Sequence, residues 1–223
     1  MDAKFWQDRW EKGQIGFHLQ TVNPHLIKWW PRLNLAPQTA VFVPLCGKTL
    51  DIPWLIKQGH YVVGVEISPV AIRQFLQENN LSARVTQNDK FERYEADSLC
   101  LLCGDYFDLQ PEDVGNVSAV YDRAALVALP EKERFRYTAK LKTLLNKPSR
   151  MLLITLEYDQ TARPGPPFSV PPQEVPKHYA DLAEIKLLAS HDVSNEFPDW
   201  QIQVTEHVFE ILLDHAPDSL DRI

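Results

Sequence analysis

The stretch Val41-Phe-Val-Pro-Leu-Cys-Gly-Lys-Thr-Leu-Asp-Ile52, followed by Tyr61-Val-Val-Gly-Val-Glu66, constrains the fold more than any other part of the chain. A short apolar run ends at a turn containing Gly47, a helix-like segment follows, and a second apolar run ends in a carboxylate. The order is strand, turn, helix, strand, acid. In doubly wound α/β proteins the first turn approaches a nucleotide-like ligand, and an acid about 20 residues further on holds ribose hydroxyls. The turn offers one glycine where a dinucleotide fingerprint has three. Taken alone, the pattern points no further than an adenosine-type ligand.

The rest of the chain extends this alternation. Residues 2–12 read as a short helix with Phe5, Trp6 and Trp10 on one face, broken by Gly13 and Gly16. That aromatic face has two readings that the residues leave even: a staple onto the core, or a lid over a ligand. Asn23-Pro24 caps a helix running towards Pro31. The first strand is expected at about Ala40–Leu45, with the continuous apolar character of a strand buried on both faces. A helix from about Thr49 to Gln58 ends at Gly59, and a second strand spans Tyr61–Glu66. Ser68-Pro69 opens a helix from Val70 to about Asn79. Residues 82–96 are polar and ambiguous, with at most a short strand near Arg84–Thr86 and a loop.

Strands are expected at Ser98–Cys103, Val117–Tyr121 and Arg150–Leu156, with a long amphipathic helix over Pro130–Asn146. The proline-dense run from Tyr158 to Pro172 contains Phe168 and Val170 and reads as an ordered surface wall. A helix around Gln173–Glu184 and two strands near Ile185–Ser190 and Val204–Leu213 finish the pattern. Five strands interleaved with helices, then a pair able to form an antiparallel hairpin, mean a mostly parallel sheet covered on both faces. A chain of 223 residues suits one such domain, so a single domain over 1–223 is expected.

Composition excludes several classes. No apolar run approaches the roughly 18 residues of a membrane span, and Met1–Trp10 is charged and amphipathic rather than a signal core. A cytoplasmic location and no membrane partner are expected. The three cysteines, Cys46, Cys100 and Cys103, do not make a disulfide framework. Cys100 and Cys103 have redox or metal spacing, but they sit in an apolar run without a second ligand pair and read as buried thiols. A net charge of -7 spread through the chain argues against a nucleic-acid partner. With no obvious partner patch, a monomer is expected.

In such a sheet, ligands bind beyond the carboxyl ends of the strands. Leu45-Cys46-Gly47, Glu66, Asp105-Tyr106 and Asp122-Arg123 stand there. Glu66 is either a carboxylate near a helix N-terminus or an acceptor for two ribose hydroxyls, each charge-assisted bond contributing roughly 1.5–3 kcal/mol. Asp105 is either a turn former after Gly104 or a contact for an adenine amino group. Arg123 by default pairs with Asp122 or another acid, the alternative being the mouth of an anion-binding pocket. His18 is either a proton acceptor or a structural histidine. No Ser-His-Asp or metal constellation appears.

Five blocks, in order from the N-terminus to about residue 172, resemble the thiopurine S-methyltransferases and specifically their bacterial branch. They are Phe5-Trp-Gln-Asp-Arg-Trp with Gly16-Phe-His, Val43-Pro-Leu-Cys-Gly-Lys, Gly59-His-Tyr-Val-Val-Gly-Val-Glu-Ile-Ser, Tyr121-Asp-Arg-Ala-Ala-Leu-Val-Ala-Leu and Pro164-Gly-Pro-Pro-Phe-Ser-Val-Pro. The resemblance implies an S-adenosylmethionine-dependent methyltransferase with a Rossmann-like, doubly wound α/β fold. Its mostly parallel sheet would have seven strands, the last antiparallel. It implies cofactor contacts at Trp10, Leu45, Glu66 and Arg123, with Asp105 and Tyr106 in the adenine region. The N-terminal segment, about 1–20, would close over the site. Phe17, His18, Arg123 and Phe168 would face the acceptor, with Arg123 steadying substrate or cofactor. Asp105 departs from relatives that carry a small polar residue there. The implied acceptors are aromatic and heterocyclic thiols, thiopurines among them, and also selenium or tellurium species. A nucleotide-binding oxidoreductase and a non-catalytic cofactor-binding protein are the competing classes.

Overall fold

The computed structural model describes residues 3–145, 147–179 and 183–213. The described strands are β1 (Ala40–Val43), β2 (Tyr61–Glu66), β3 (Arg84–Gln87), β4 (Glu92–Ala96), β5 (Leu99–Cys103), β6 (Ala119–Arg123), β7 (Ser149–Glu157), β8 (Ala183–Asp192) and β9 (Thr205–Leu213). They form one sheet in the order β3-β4-β5-β2-β1-β6-β7-β9-β8. β5, β2, β1, β6 and β7 run parallel, and β9 lies antiparallel between β7 and β8. The seven strands from β5 to β8, with the last one in the chain antiparallel, are the expected sheet.

Two further strands extend it. β3 and β4 make an antiparallel hairpin on the β5 edge, where the sequence suggested only a short strand and a loop. At an edge no alternation of core residues is required, and none of β4 is fully buried. Its charges satisfy one another along the strand: Arg93 Nε donates to Glu95 Oε1 at 2.8 Å, and the Tyr94 hydroxyl donates to Glu92 Oε2 at 2.8 Å.

The seven described helices are α1 (Ala3–Glu11), α2 (Pro24–Trp29), α3 (Asp51–Lys57), α4 (Pro69–Glu78), α5 (Pro111–Val114), α6 (Glu131–Leu144) and α7 (Val175–Tyr179). α7 is shorter than the helix expected over Gln173–Glu184, because Ala183 and Glu184 already pair with Leu213 and Leu212 in the sheet. Residues 180–182, and the outer ends Asp2 and Asn146 of the expected first and long helices, lie outside the described residues. The first strand stops at Val43 rather than Leu45, since Leu45 takes φ +47° and turns the chain.

Alternate residues of the central strands feed two cores, which is why those strands read as continuous apolar runs. Phe42, Val63, Val65, Leu102 and Val120 pack on one face with Tyr137 and Leu141 of α6. Val41, Val62, Leu101 and Tyr121 pack on the other with Leu26, Ile52, Leu55 and Phe75 of α2, α3 and α4. The Asn23 side chain accepts from the amides of His25 and Leu26, capping α2 as its type and position led us to expect.

Gly64, paired with Val43 across β2 and β1, has no room for a side chain. A Cβ there would sit 2.8 Å from Cys46 Sγ and 2.9 Å from Leu101 Cδ2. This close approach fixes the turn after β1 against β2. We expect Gly64→Ala to cost about 1–3 kcal/mol by overpacking, read as a shifted midpoint in urea unfolding. An unchanged midpoint would mean that the turn is not wedged there.

Candidate active site

β1 is the strand at which the order reverses: the chain leaves it for β2 on one side and later returns to pair β6 on the other. A crevice at such a switch point is where open α/β sheets bind ligands. Here it is a cleft of about 960 Å³ lined by residues that include Trp10, Leu45, Glu66, Tyr121 and Arg123.

Glu66 ends β2 and is 5% exposed. Its Oε2 accepts from the Gly47 amide at 2.9 Å and its Oε1 from the Ser68 amide at 2.8 Å. Burial pushes the carboxyl up to about 7, against these two amide donors, which lower it. Each oxygen keeps a second lone pair for an incoming hydroxyl.

The turn that carries the Gly47 amide is built from left-handed backbone, φ +47° at Leu45 and +53° at Gly47. Leucine is strained in that region, and such strain persists where the surroundings hold it. Gly47 is needed for a second reason: a Cβ there would lie 3.0 Å from Cζ2 of Trp10. Cys46, between them, is buried, and burial raises its thiol well above the ordinary range, so it stays protonated.

The front of the chain closes one side of the cleft. Trp10 is 4% exposed and meets Phe17 edge to face at 5.6 Å, as Trp6 does at 5.7 Å. The Arg9 guanidinium lies over the Phe5 ring at 4.6 Å, and its buried Nε has no hydrogen-bond partner among the described residues. Arg123, at the tip of β6, donates from Nη1 to the Phe17 carbonyl at 2.8 Å. It makes no ion pair among the described residues. Asp122 turns to the opposite face, where it accepts from the Tyr137 hydroxyl at 2.7 Å and the Leu126 amide at 3.1 Å. Adjacent strand residues point to opposite faces, so the expected Asp122–Arg123 pair is unavailable. The pairing default for Arg123 is thereby corrected.

His18 lines the same cleft. Burial, then the Lys48 ammonium and the Arg123 guanidinium, hold its imidazole below the usual range. It is neutral at pH 7.

A second cleft of about 1060 Å³ adjoins the first, sharing Arg9, Phe17, Arg123, Pro166 and Pro167 with it. Its far side carries Phe197, Trp200, Arg163, Glu196 and Glu206. The Arg163 guanidinium sits over Trp200 at 4.4 Å. The proline-dense loop is tied down as a wall: the amides of Phe168 and Val170 donate to the carbonyls of Val127 and Leu156, and the Tyr158 hydroxyl donates to the Pro167 carbonyl at 2.6 Å.

Of the residues singled out in the sequence, Trp10, Phe17, His18, Leu45, Glu66 and Arg123 line the first cleft. Asp105, Tyr106 and Phe168 are not among its lining. Asp105 caps a short turn through the Phe107 amide at 2.9 Å, Tyr106 is buried with its hydroxyl on the Tyr137 carbonyl at 3.0 Å, and the Phe168 ring packs against Gly165. Arg9, Pro166, Pro167, Tyr121 and Glu206 were not singled out. The first four lie inside blocks already marked as informative, whereas Glu206 lies in a segment without a motif. Among the described residues, no three His, Cys, Asp or Glu side chains gather to hold a metal ion.

The sheet order, the acid at the tip of β2 and the cleft at the switch point define an S-adenosylmethionine-dependent methyltransferase fold. Among solved structures, a Burkholderia thailandensis 1,6-didemethyltoxoflavin-N1-methyltransferase superposes with a TM-score of 0.62 at 14% identity, covering 96% of this chain and 87% of that one. The sequence profile of the thiopurine S-methyltransferase (TPMT) family matches residues 1–213, and the chain belongs to that family. Thiopurine S-methyltransferases from Nitrosospira multiformis and Shewanella woodyi are each 46% identical to it, over 90% and 95% of this chain and 91% and 98% of theirs.

The bond from Arg123 to Phe17 holds the front segment from the β6 side of the cleft. We expect Arg123→Ala to speed amide hydrogen exchange over about residues 13–19 by about tenfold or more, as loss of a charged hydrogen bond of about 1.5–3 kcal/mol does. Unchanged exchange there would show that the aromatic contacts alone keep the segment down.

Proposed function

We propose that the protein transfers the methyl group of S-adenosylmethionine to the sulfur of aromatic and heterocyclic thiols, thiopurines among them, and to selenium or tellurium species. Membership of the thiopurine S-methyltransferase family supports the reaction, and the observation that carries the cofactor reading is Glu66. It is a buried acid at the tip of β2, already oriented by two amides and overhung by an aromatic segment. When bound, S-adenosylmethionine supplies a methyl group on a cationic sulfur.

Within this reading Glu66 accepts from the ribose hydroxyls, and Leu45 lies against the adenosine. Trp10 offers an aromatic face to the cation, worth roughly 0.5–2 kcal/mol. Arg123 steadies the cofactor carboxylate or an anionic acceptor. Asp105 and Tyr106 are assigned to the adenine region, and Phe17, His18 and Phe168 to the acceptor. Residues 1–20 act as a lid on a single domain. Their work is positioning and exclusion of water, because a thiolate needs no strong base to attack a methyl group. Among the described residues no helix is long and apolar enough to cross a membrane. We place the protein in the cytoplasm as a monomer without a nucleic-acid partner, in keeping with its net charge of -7 and free cysteines.

Incubation with methyl-labelled S-adenosylmethionine and 6-mercaptopurine is expected to give the S-methyl product. No transfer to any thiol, selenol or tellurium acceptor would contradict the reading. A second test uses the position of the Glu66 carboxyl, raised to about 7 by burial. Ribose hydroxyls favour the ionised form, so below about 7 a proton must leave as the cofactor binds. Affinity is therefore expected to hold above that pH and to fall by up to about tenfold per unit below it, with Glu66→Ala weakening binding at least about tenfold at pH 8. A calorimetric Kd that is flat across this range, or unchanged in the variant, would remove the ribose from Glu66.

A further inference from the structure

Methylating a thiol releases a proton, and the residues assigned so far leave it without a destination. His18 is poorly placed to take it: burial first, then the Lys48 ammonium and Arg123 guanidinium beside it, oppose a positive charge there, and Glu78 and Asp51 offset them only in part. The second cleft holds a different arrangement. Glu206, near the start of β9, lines that cleft and is itself 9% exposed. Its Oε2 lies 3.0 Å from Nε2 of His25, which is buried on α2. Its other oxygen, Oε1, has no partner among the described residues. The His25 ring stacks on His191 of β8 at 4.9 Å and 18°, and His191 Nε2 is buried without a partner. The other charged groups that line the cleft with Glu206 are Arg9, Arg123, Arg163 and Glu196.

We propose that Glu206, backed by His25, is the proton acceptor for the methyl-accepting sulfur. This rests on the methyltransferase reading above and on an acceptor seated in the second cleft. In the step, the S–H bond breaks and its proton goes to the Glu206–His25 pair. The freed sulfur electron pair forms the bond to the methyl carbon. The bond from that carbon to the cofactor sulfur breaks, its electrons staying on that sulfur as a neutral thioether.

A carboxylate alone is a weak base towards a thiol, whereas an imidazole ordinarily titrates about two units nearer to one. The pair thus joins a contact to the cleft with a better proton sink behind it. The proton then leaves for solvent when product departs. Acidic thiols, ionised before they bind, have no use for it. Weakly acidic ones do.

The test compares 4-methoxybenzenethiol, largely protonated at about pH 6, with 4-nitrobenzenethiol, largely ionised there. In Glu206→Gln the loss of kcat/KM for the methoxy compound is expected to exceed that for the nitro compound by at least about tenfold, the gap closing as pH is raised. His25→Gln is expected to show the same ordering, and carries the test should Glu206→Gln not fold. A second readout needs no cofactor: calorimetry of 4-nitrobenzenethiolate binding, in buffers of different ionisation heat, is expected to show proton uptake by the wild type. Either variant should lose half of that uptake or more. Equal losses for the two thiols, or unaltered proton uptake, would overturn the role of Glu206. A wild type that methylates neither thiol would overturn the methyltransferase reading beneath it.

Discussion

A buried carboxylate at the end of a strand is unstable unless donors reach it, and Glu66 is held by two that come from different parts of the chain. The Gly47 amide arrives from the turn after β1 and the Ser68 amide from the mouth of α4. For both to reach it, β1 and β2 must pair in the observed register, Val43 opposite Gly64. The turn must take left-handed backbone at Leu45 and Gly47, and Gly64 must stay bare so that Cys46 can lie on it. One polar interaction thus depends on the strand pairing, the turn and the packing beneath it.

β6 divides its labour in the same way. Asp122 faces the α6 side, where the Tyr137 hydroxyl and the Leu126 amide hold it, and burial pushes its carboxyl up to about 6. Arg123, one residue on, faces the cleft and is spent on the Phe17 carbonyl. The first residue anchors a helix to the sheet and the second anchors the front segment over the site. Stability and access are therefore set by neighbouring residues that never touch the same partners. The tied-down proline-dense loop completes the enclosure, with Pro166 and Pro167 lining both clefts.

Much of this could be read from the sequence because the central strands are buried on two sides. Continuous runs such as Tyr61–Val65 and Leu99–Leu102 have no surface alternative, and the acid closing the first of them marks the switch point. The hairpin of β3 and β4 was hidden because a polar hairpin at the margin of the sheet, its charges satisfied along β4, carries no apolar period to detect. The direction of Arg123 was hidden because two adjacent charged residues look like a pair in one dimension, and only the pleat separates them. Glu206 and His25 are 181 positions apart with no motif around the glutamate; their meeting follows from β9 running antiparallel, which brings its start to the carboxyl end of β7.

The central claim is that the acid at the tip of β2 grips the sugar of the cofactor while the aromatic front segment shuts over it. A crystal structure with S-adenosylhomocysteine bound tests this most directly. The expected result is both ribose hydroxyls within hydrogen-bond distance of the Glu66 carboxylate, with Trp10 and Phe17 closing the same cleft. A ribose bound elsewhere, with Glu66 still engaged only by backbone amides, would contradict it.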